Sequence, residues 1–347
     1  MKGGGERDGG ALEADVGSRA AGVSRPAGGH FKADYEGPTQ KLRASRGGLW
    51  VLRTLPPPVG GPRPDAPGSV VYSRIRRLGP EPRSKDMGRH SAIEWTHHTF
   101  NPWWGCTKVS PACNHCYAES WSRRIGLDVW GSRARRRFFG ESHWREPLRW
   151  NRTAAKTHSR KRVFCASMAD VFEQRDDLSA ARARLWELIE QTPSLDWLLL
   201  TKRPENVSAM VPWGAAWPAN VWLGATVEDQ EHAALRVPPL LKAPARVHFL
   251  SCEPLLSPLD LSEWMVGPSR IVWVIAGGES GGQARPTQPE WFRGLRDQCQ
   301  QHGVLLHFKQ WGEWGPDLGG TLRRKGKKAA GRELDGRAWD EVPVPIT

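Results

Sequence analysis

Seven apolar, strand-like runs recur after residue 90, and helical patterns separate them. The runs are "SAIEWTHHTF" (91–100), "RVFCASMAD" (162–170), "DWLLLTKR" (196–203), "NVWLGATVED" (220–229), "RVHFLSCEP" (246–254), "RIVWVIAGGE" (270–279) and "VLLHFKQWGEW" (304–314). Between them, "SAARARLWELIEQ" (179–191) and "QPEWFRGLRDQCQQHG" (288–303) carry apolar residues at helical spacing. Continuous apolar strands alternating with amphipathic helices are the pattern of a parallel sheet covered by helices. Seven repeats without a phosphate-loop signature favour an α/β, TIM-like (β/α) barrel, complete or partial.

Charged and polar side chains follow the apolar runs. Asp170 and Glu173, Lys202 and Arg203, Glu228 and Asp229, Glu253, Glu279, and Lys309 and Gln310 all stand at or just past a run's C-terminal end. In barrels and parallel sheets that rim binds ligands. Strand ends are also where a chain returns to water, which accounts for part of the pattern. Lys202 and Arg203 suit a carboxylate or phosphate, or a solvated salt bridge.

The first run leads straight into "FNPWWGCTKVSPACNHCYAES" (100–120), with Cys106, Cys113 and Cys116 inside eleven positions. The Cys113–Cys116 pair has the C-x2-C spacing that grips zinc or an iron–sulfur cluster. A loop after the first strand sets the metal at the ligand-binding rim. Three thiolates leave one iron of a [4Fe–4S] cubane without a protein ligand. That iron can chelate an amine and a carboxylate together, as S-adenosyl-L-methionine presents them for radical chemistry. Trp103 and Trp104 are expected to shield the cluster, one of them packing in the barrel mouth. Cys165, Cys252 and Cys299 lie in apolar or helical settings and are expected to be buried small hydrophobes or surface helix residues.

Clustered thiols without a disulfide framework fit a reducing, cytoplasmic setting. No apolar run approaches the ~18 residues of a spanning helix, which argues against a membrane protein. The formal charge of +13 allows an acidic partner such as nucleic acid. Residues 1–86 hold 26 Gly or Pro and no sustained hydrophobic period, so they read as a disordered extension. Met87 is the expected functional start, and 87–315 the barrel domain. Residues 316–347, with the basic block "LRRKGKKAAGR" (322–332), read as a partly disordered tail.

The cysteine loop after a first barrel strand resembles the radical S-adenosylmethionine superfamily, and "NPWWGC…CNHCYAE" is similar to its spore-photoproduct-lyase-like branch. More specifically, "IEWTHHTFNPWWGCTKVSPACNHCYAE", "LLTKRPE", "NVWLGATVED", "FLSCEPLL", "WVIAGGESG" and "HFKQWGEW" together resemble a phage-associated bacterial family of largely uncharacterised proteins, over about 87–315. The resemblance implies a [4Fe–4S] cluster on Cys106, Cys113 and Cys116, reductive cleavage of S-adenosyl-L-methionine, and an electron donor. Tyr117 beside the third cysteine matches the superfamily's aromatic placement. The first cysteine gap is six residues where three are common, and "GGE" follows the sixth run where the superfamily has it on the second strand. By topology Ser167 and Asp170 are therefore the candidates for the cofactor's amine, with Gly277 and Gly278 allowing close approach of the adenosyl portion. Glu228, Glu253 and Glu279 complete the cofactor-binding candidates; catalytic residues are not readable.

The competing reading is a closed Cys3His zinc site using His115, His97 or His98, in a non-catalytic nucleic-acid-binding module stapled by zinc or a cluster. Adjacent strand residues point to opposite faces, so at most one of His97 and His98 reaches the metal. A zinc deaminase is a thinner option, because Ala112 separates Pro111 from Cys113 and the H-x-E partner is absent. Nucleic acid is the expected substrate, and a protein encoded nearby a further expected partner. Its contact surface is expected in 122–139, where Arg123, Arg124, Arg133, Arg135, Arg136 and Arg137 interleave with Trp130, Phe138 and Phe139.

Overall fold

The computed structural model describes residues 91, 93–317 and 319–344. The extension over 1–86 and the start at Met87 lie outside the described residues. Each apolar run supplies one strand of a single sheet: β1 (His98–Thr99), β2 (Lys161–Cys165), β3 (Leu195–Thr201), β4 (Val221–Thr226), β5 (His248–Cys252), β6 (Ile271–Gly277) and β7 (Leu305–Gln310). All are parallel and pair in chain order, and β1 does not pair with β7. An order that never reverses puts the right-handed crossover helices on one face. The twisted sheet curls away from them as a half-barrel, the partial form of the architecture that the strand–helix alternation implies.

Alternation along the strands separates two cores. On the helix side lie Val163, Cys165, Trp197, Leu199, Leu223, Leu250, Cys252, Val274, Leu306 and Phe308. On the concave side Phe164, Leu198, Trp222, Phe249, Trp273 and Ile275 pack with Trp95 and Val342. Trp273 meets Trp95 and Trp222 edge-on, with ring centroids 6.1 and 6.2 Å away.

The helix side is covered by α2 (Glu146–Lys156), α3 (Ser179–Glu190), α4 (Gln230–Leu241) and α5 (Pro289–His302), while α1 (Tyr117–Arg124) follows the cysteine loop. In α3 the buried positions Arg182, Leu185, Trp186 and Ile189 recur at three- and four-residue steps. Pro289 opens α5, and Gly303, at φ 67°, closes it in the left-handed region. The Asp229 side chain caps α4 by accepting from the His232 amide. Pro238 and Pro239 sit in the last turns of α4. They are tolerated because Ala234 and Leu235, whose carbonyls lose a donor, are exposed to water.

The described residues 316–317 and 319–344 fold against the half-barrel, where the sequence reads as a partly disordered tail. A ribbon pairs Trp314–Pro316 with Leu322–Arg324, and a second pairs Glu333–Leu334 with Arg337–Ala338. Beyond it the chain runs antiparallel beside β7. The Phe308 amide donates to the Trp339 carbonyl (2.9 Å), and the Glu341 amide to Leu306 (3.2 Å). Leu334, Trp339 and Val342 are buried there, covering the open edge.

Candidate metal centre

The loop from β1 to α1 crosses the C-terminal end of the half-barrel, and its backbone depends on a glycine. Gly105, at φ 113°, precedes Cys106, and a Cβ on it would stand 2.2 Å from the Val129 carbonyl oxygen. A short 3-10 turn, Pro111–Cys113, follows, and Cys116 occupies the N-cap position of α1. Cys106, Cys113 and Cys116 all line one cavity of about 430 Å³ at the rim. Burial first, then the negative charge of Asp170, pushes the Cys106 thiol up to about 12.

Four buried carboxylates beyond the ends of β2, β4 and β6 hold this loop, each paired with an arginine. Asp170 receives the Phe172 amide and the Thr201 hydroxyl on Oδ1, and the Lys202 amide and Arg203 Nη1 (2.8 Å) on Oδ2. Arg203 then donates to the Thr107 carbonyl at 2.7 Å and stands 3.8 Å from Cys106 Sγ. Glu173 grips Arg136, which reaches the Thr107 hydroxyl at 3.0 Å. Glu228 pairs with Arg236 at 2.7 Å and accepts the Ala112 amide at 3.3 Å. Glu279 pairs with Arg285, which donates to the Pro111 carbonyl, and Glu279 Oε2 accepts from His115 Nδ1 at 3.2 Å. Burial opposes ionisation of Glu279, but hydrogen bonds from Arg285 and His115 outweigh it and hold its carboxyl below the usual range.

These contacts revise several sequence expectations. Asp170 and Glu279 line the cavity, but their oxygens are occupied by the chain itself; they position the loop. Glu228 is sealed from solvent, does not line the cavity, and acts through the loop backbone. Gly278 lines the cavity, yet a Cβ there would fall 1.9 Å from the Trp311 carbonyl oxygen, while one on Gly277 would meet Glu253. Both glycines make room for the chain's own neighbours. Ser167 does line the cavity, and its Oγ accepts from Asn101 Nδ2 at 3.2 Å.

Among the described residues, two charged cavity residues are bound to each other and to a serine. Glu253, at the end of β5, pairs with Lys309 of β7 at 3.0 Å, with the Ser251 hydroxyl 3.4 Å away. Both side chains are partly exposed toward the cavity. Lys202 lines this cavity and also an adjoining cleft of about 810 Å³.

The aromatic expectations change as well. Trp103 is buried in the helix-side core, Trp104 packs on Trp121 and Phe139, and neither lines the cavity. Trp130, expected among the aromatics of the nucleic-acid contact surface, lines the cavity instead. Arg136, expected on a nucleic-acid surface, has a fully buried side chain and is unavailable to phosphate. Arg285, which the sequence reading did not single out, stands six residues past Glu279 with no motif to reveal it. Cys165, Cys252 and Cys299 are all buried, the first of the two settings expected of them.

The histidines weighed as zinc ligands have other partners. His97 Nδ1 accepts from the Arg162 amide at 2.9 Å, and His98 stacks on Trp150 at 4.3 Å. Among the described residues, Glu228, Asp229 and His232 form the group of potential ligands within 4.8 Å. Glu228 is committed to Arg236, and Asp229 to the cap of α4, so this cluster is structural.

With the half-barrel and its loop defined, a match to one family spans residues 90–343. The chain belongs to the DUF5131 family, described as a protein of unknown function. No curated protein and no solved structure matches it. For this DUF5131 chain the matched region takes in the half-barrel, the cysteine loop and the C-terminal ribbons.

Proposed function

We propose that Cys106, Cys113 and Cys116 hold a [4Fe–4S] cluster. In this reading the adjoining cavity binds S-adenosyl-L-methionine for reductive cleavage to a radical, with nucleic acid as the substrate class. The observation that carries this reading is that Cys106, Cys113 and Cys116 all line one rim cavity of about 430 Å³. A structural zinc site is usually closed by four protein ligands, whereas a cubane held by three thiolates would keep one iron without a protein ligand.

Bound there, the cluster would supply the electron that splits a carbon–sulfur bond of the cofactor; an external electron donor must recharge it. The chain's own residues support the rest. Glu253 and Lys309 offer a carboxylate for an amine and an ammonium for a carboxylate, the two charges of an amino-acid end. Phe164, Met168, Leu200 and Trp130 supply apolar wall that limits water. Asp170, Glu173, Glu228 and Glu279 keep the loop preorganised.

Anaerobic reconstitution tests this directly. The protein should take up about four irons and absorb broadly in the visible, and dithionite should then yield 5′-deoxyadenosine and methionine. Replacing Cys106, Cys113 or Cys116 with Ala should abolish the absorption, and replacing Cys165 or Cys299 should not. Stoichiometric zinc without iron uptake would overturn the reading in favour of a metal-stapled binding module.

A further inference from the structure

Large apolar side chains that reach solvent are concentrated around the cysteine loop. Among the described residues seven are well exposed, and five of them, Val109, Tyr117, Trp121, Ile125 and Phe138, fall within 109–138. Scattered exposed hydrophobes need no explanation, but a contiguous set marks an interaction face. Tyr117 and Trp121 are one helical step apart on α1, and Ile125 is one step further at its C-cap, so the three form a stripe.

The stripe begins at the candidate metal centre. Tyr117 lines the cavity, and its hydroxyl donates to the Ser167 carbonyl at 2.7 Å, which fixes the ring. Trp121 stands edge-on to Trp104 with centroids 5.1 Å apart, so it too is braced from behind. Arg137 lies over Trp104, 4.6 Å from the ring centroid.

Charge identifies the occupant. Arg124, Arg133 and Arg135 are exposed and have no acidic partner among the described residues, and Arg137 is held only by aromatic faces. Arg123 alone is paired, with Glu119 at 2.6 Å. A purely apolar partner would leave these guanidinium groups unpaired. A strand with flat rings and regularly spaced negative charges satisfies both features. Steps of four helical residues set the side chains about 6 Å apart, wider than the ~3.4 Å repeat of a duplex strand. The stripe therefore suits bases already unstacked.

We propose that the exposed face of α1, with the 133–138 segment beside it, binds single-stranded nucleic acid. Trp121 stacks on a base, Arg124, Arg133 and Arg135 meet phosphates, and the strand is led toward the cavity at Tyr117. The proposal rests on the reading above for what happens at the cavity; strand binding itself does not need the metal.

The test uses the full chain and a labelled twelve-nucleotide oligothymidylate, compared with a duplex of equal length by fluorescence anisotropy. Iron content and 5′-deoxyadenosine formation are measured on the same preparations. The single strand should bind about tenfold tighter than the duplex. Trp121→Ala should weaken it about tenfold, the size of one base–aromatic stack, while Trp121→Phe retains most of the affinity. Arg135→Ala should lessen the salt dependence by roughly one counterion. Trp121 and Arg135 are exposed, so these losses would not reflect unfolding. Equal binding of duplex and single strand, no effect of Trp121→Ala, or no binding at low salt would overturn the proposal. If iron and cofactor cleavage were intact in that case, the reading of the metal centre would stand. Strand binding without iron uptake would sink that reading and leave this one. Trp121-dependent self-association in sedimentation, without oligonucleotide binding, would give the stripe to a second copy of this chain.

Discussion

Arg136 Nη2 lies 2.7 Å from Glu173 Oε1 and its Nε 3.1 Å from Oε2, with the arginine side chain wholly enclosed. Nη1 of the same guanidinium donates to the carbonyls of Val129, Gly131 and Ala134, and Nη2 also reaches the Thr107 hydroxyl. One fully satisfied buried charge thus ties the segment after α1 to the start of the cysteine loop and to the end of β2. Removing one member of such a pair leaves the other charged and unpaired. Glu173→Ala should therefore cost about 3–5 kcal/mol, read as a lower denaturant midpoint with an unchanged slope. A stability unaltered by Glu173→Ala would show that the guanidinium finds water.

Glu279 gives the fold a pH dependence whose sign is fixed by its depressed pKa. Below the ordinary glutamate range, near ~4.3, the unfolded chain takes up a proton that the folded Glu279 still refuses. Stability from this group is present above that range and is lost as pH falls through the depressed folded value. Glu279→Gln should flatten the stability–pH profile on the acid side, measured by thermal unfolding between pH 3 and pH 6. An unchanged acid limb would assign the acid sensitivity to other carboxylates.

Strands β3 to β7 were legible because each is a short apolar run, mostly buried on both sides in a parallel sheet, whereas β1 is only His98–Thr99 and half-buried. Helix α4 was not, because Pro238 and Pro239 speak against a helix in any local window, and only the exposure of Ala234 and Leu235 makes them tolerable. The C-terminal ribbons hid behind a basic composition, since Leu334 and Trp339 are sparse anchors among charged residues. At the site, close spacing made the three cysteines stand out. The work of the rim carboxylates did not, because a strand-end glutamate looks the same whether it faces a ligand or an arginine. Glu173 meets Arg136 at a separation of 37 residues, and Glu228 meets the Ala112 amide at 116. No window in the sequence joins them.

In the cavity wall, the Glu253–Lys309 pair brings together a carboxylate and an ammonium that can exchange partners with a zwitterion. Glu253→Gln and Lys309→Met should each weaken S-adenosyl-L-methionine binding about tenfold, roughly 1.4 kcal/mol, by calorimetric titration of the reconstituted protein. Iron content should not change, because neither side chain bonds to the cysteine loop. Asp170→Ala should do the reverse: it frees Arg203 from its carboxylate and lowers iron retention before it alters cofactor affinity. Equal losses of iron in all three variants would remove the distinction between ligand-facing and loop-holding acids.

Arg203 faces a cysteine sulfur, with Nη1 3.8 Å from Cys106 Sγ and Nη2 donating to the Thr107 carbonyl. Hydrogen bonds and positive charge beside a cluster's sulfurs stabilise its reduced, more negative state and so raise the reduction potential. Arg203→Gln keeps a donor of shorter reach but removes the charge, and Asp170 then loses its counter-ion. Two consequences follow from the geometry. The reconstituted cluster should become harder to reduce, its midpoint potential moving to more negative values in a titration followed by electron paramagnetic resonance. The fraction reduced by dithionite at a fixed pH should fall with it, while the visible absorption of the oxidised protein stays. A midpoint unchanged in a fully iron-loaded Arg203→Gln protein would mean that Arg203 serves only to hold Thr107 and Asp170, with no influence on the sulfur it faces.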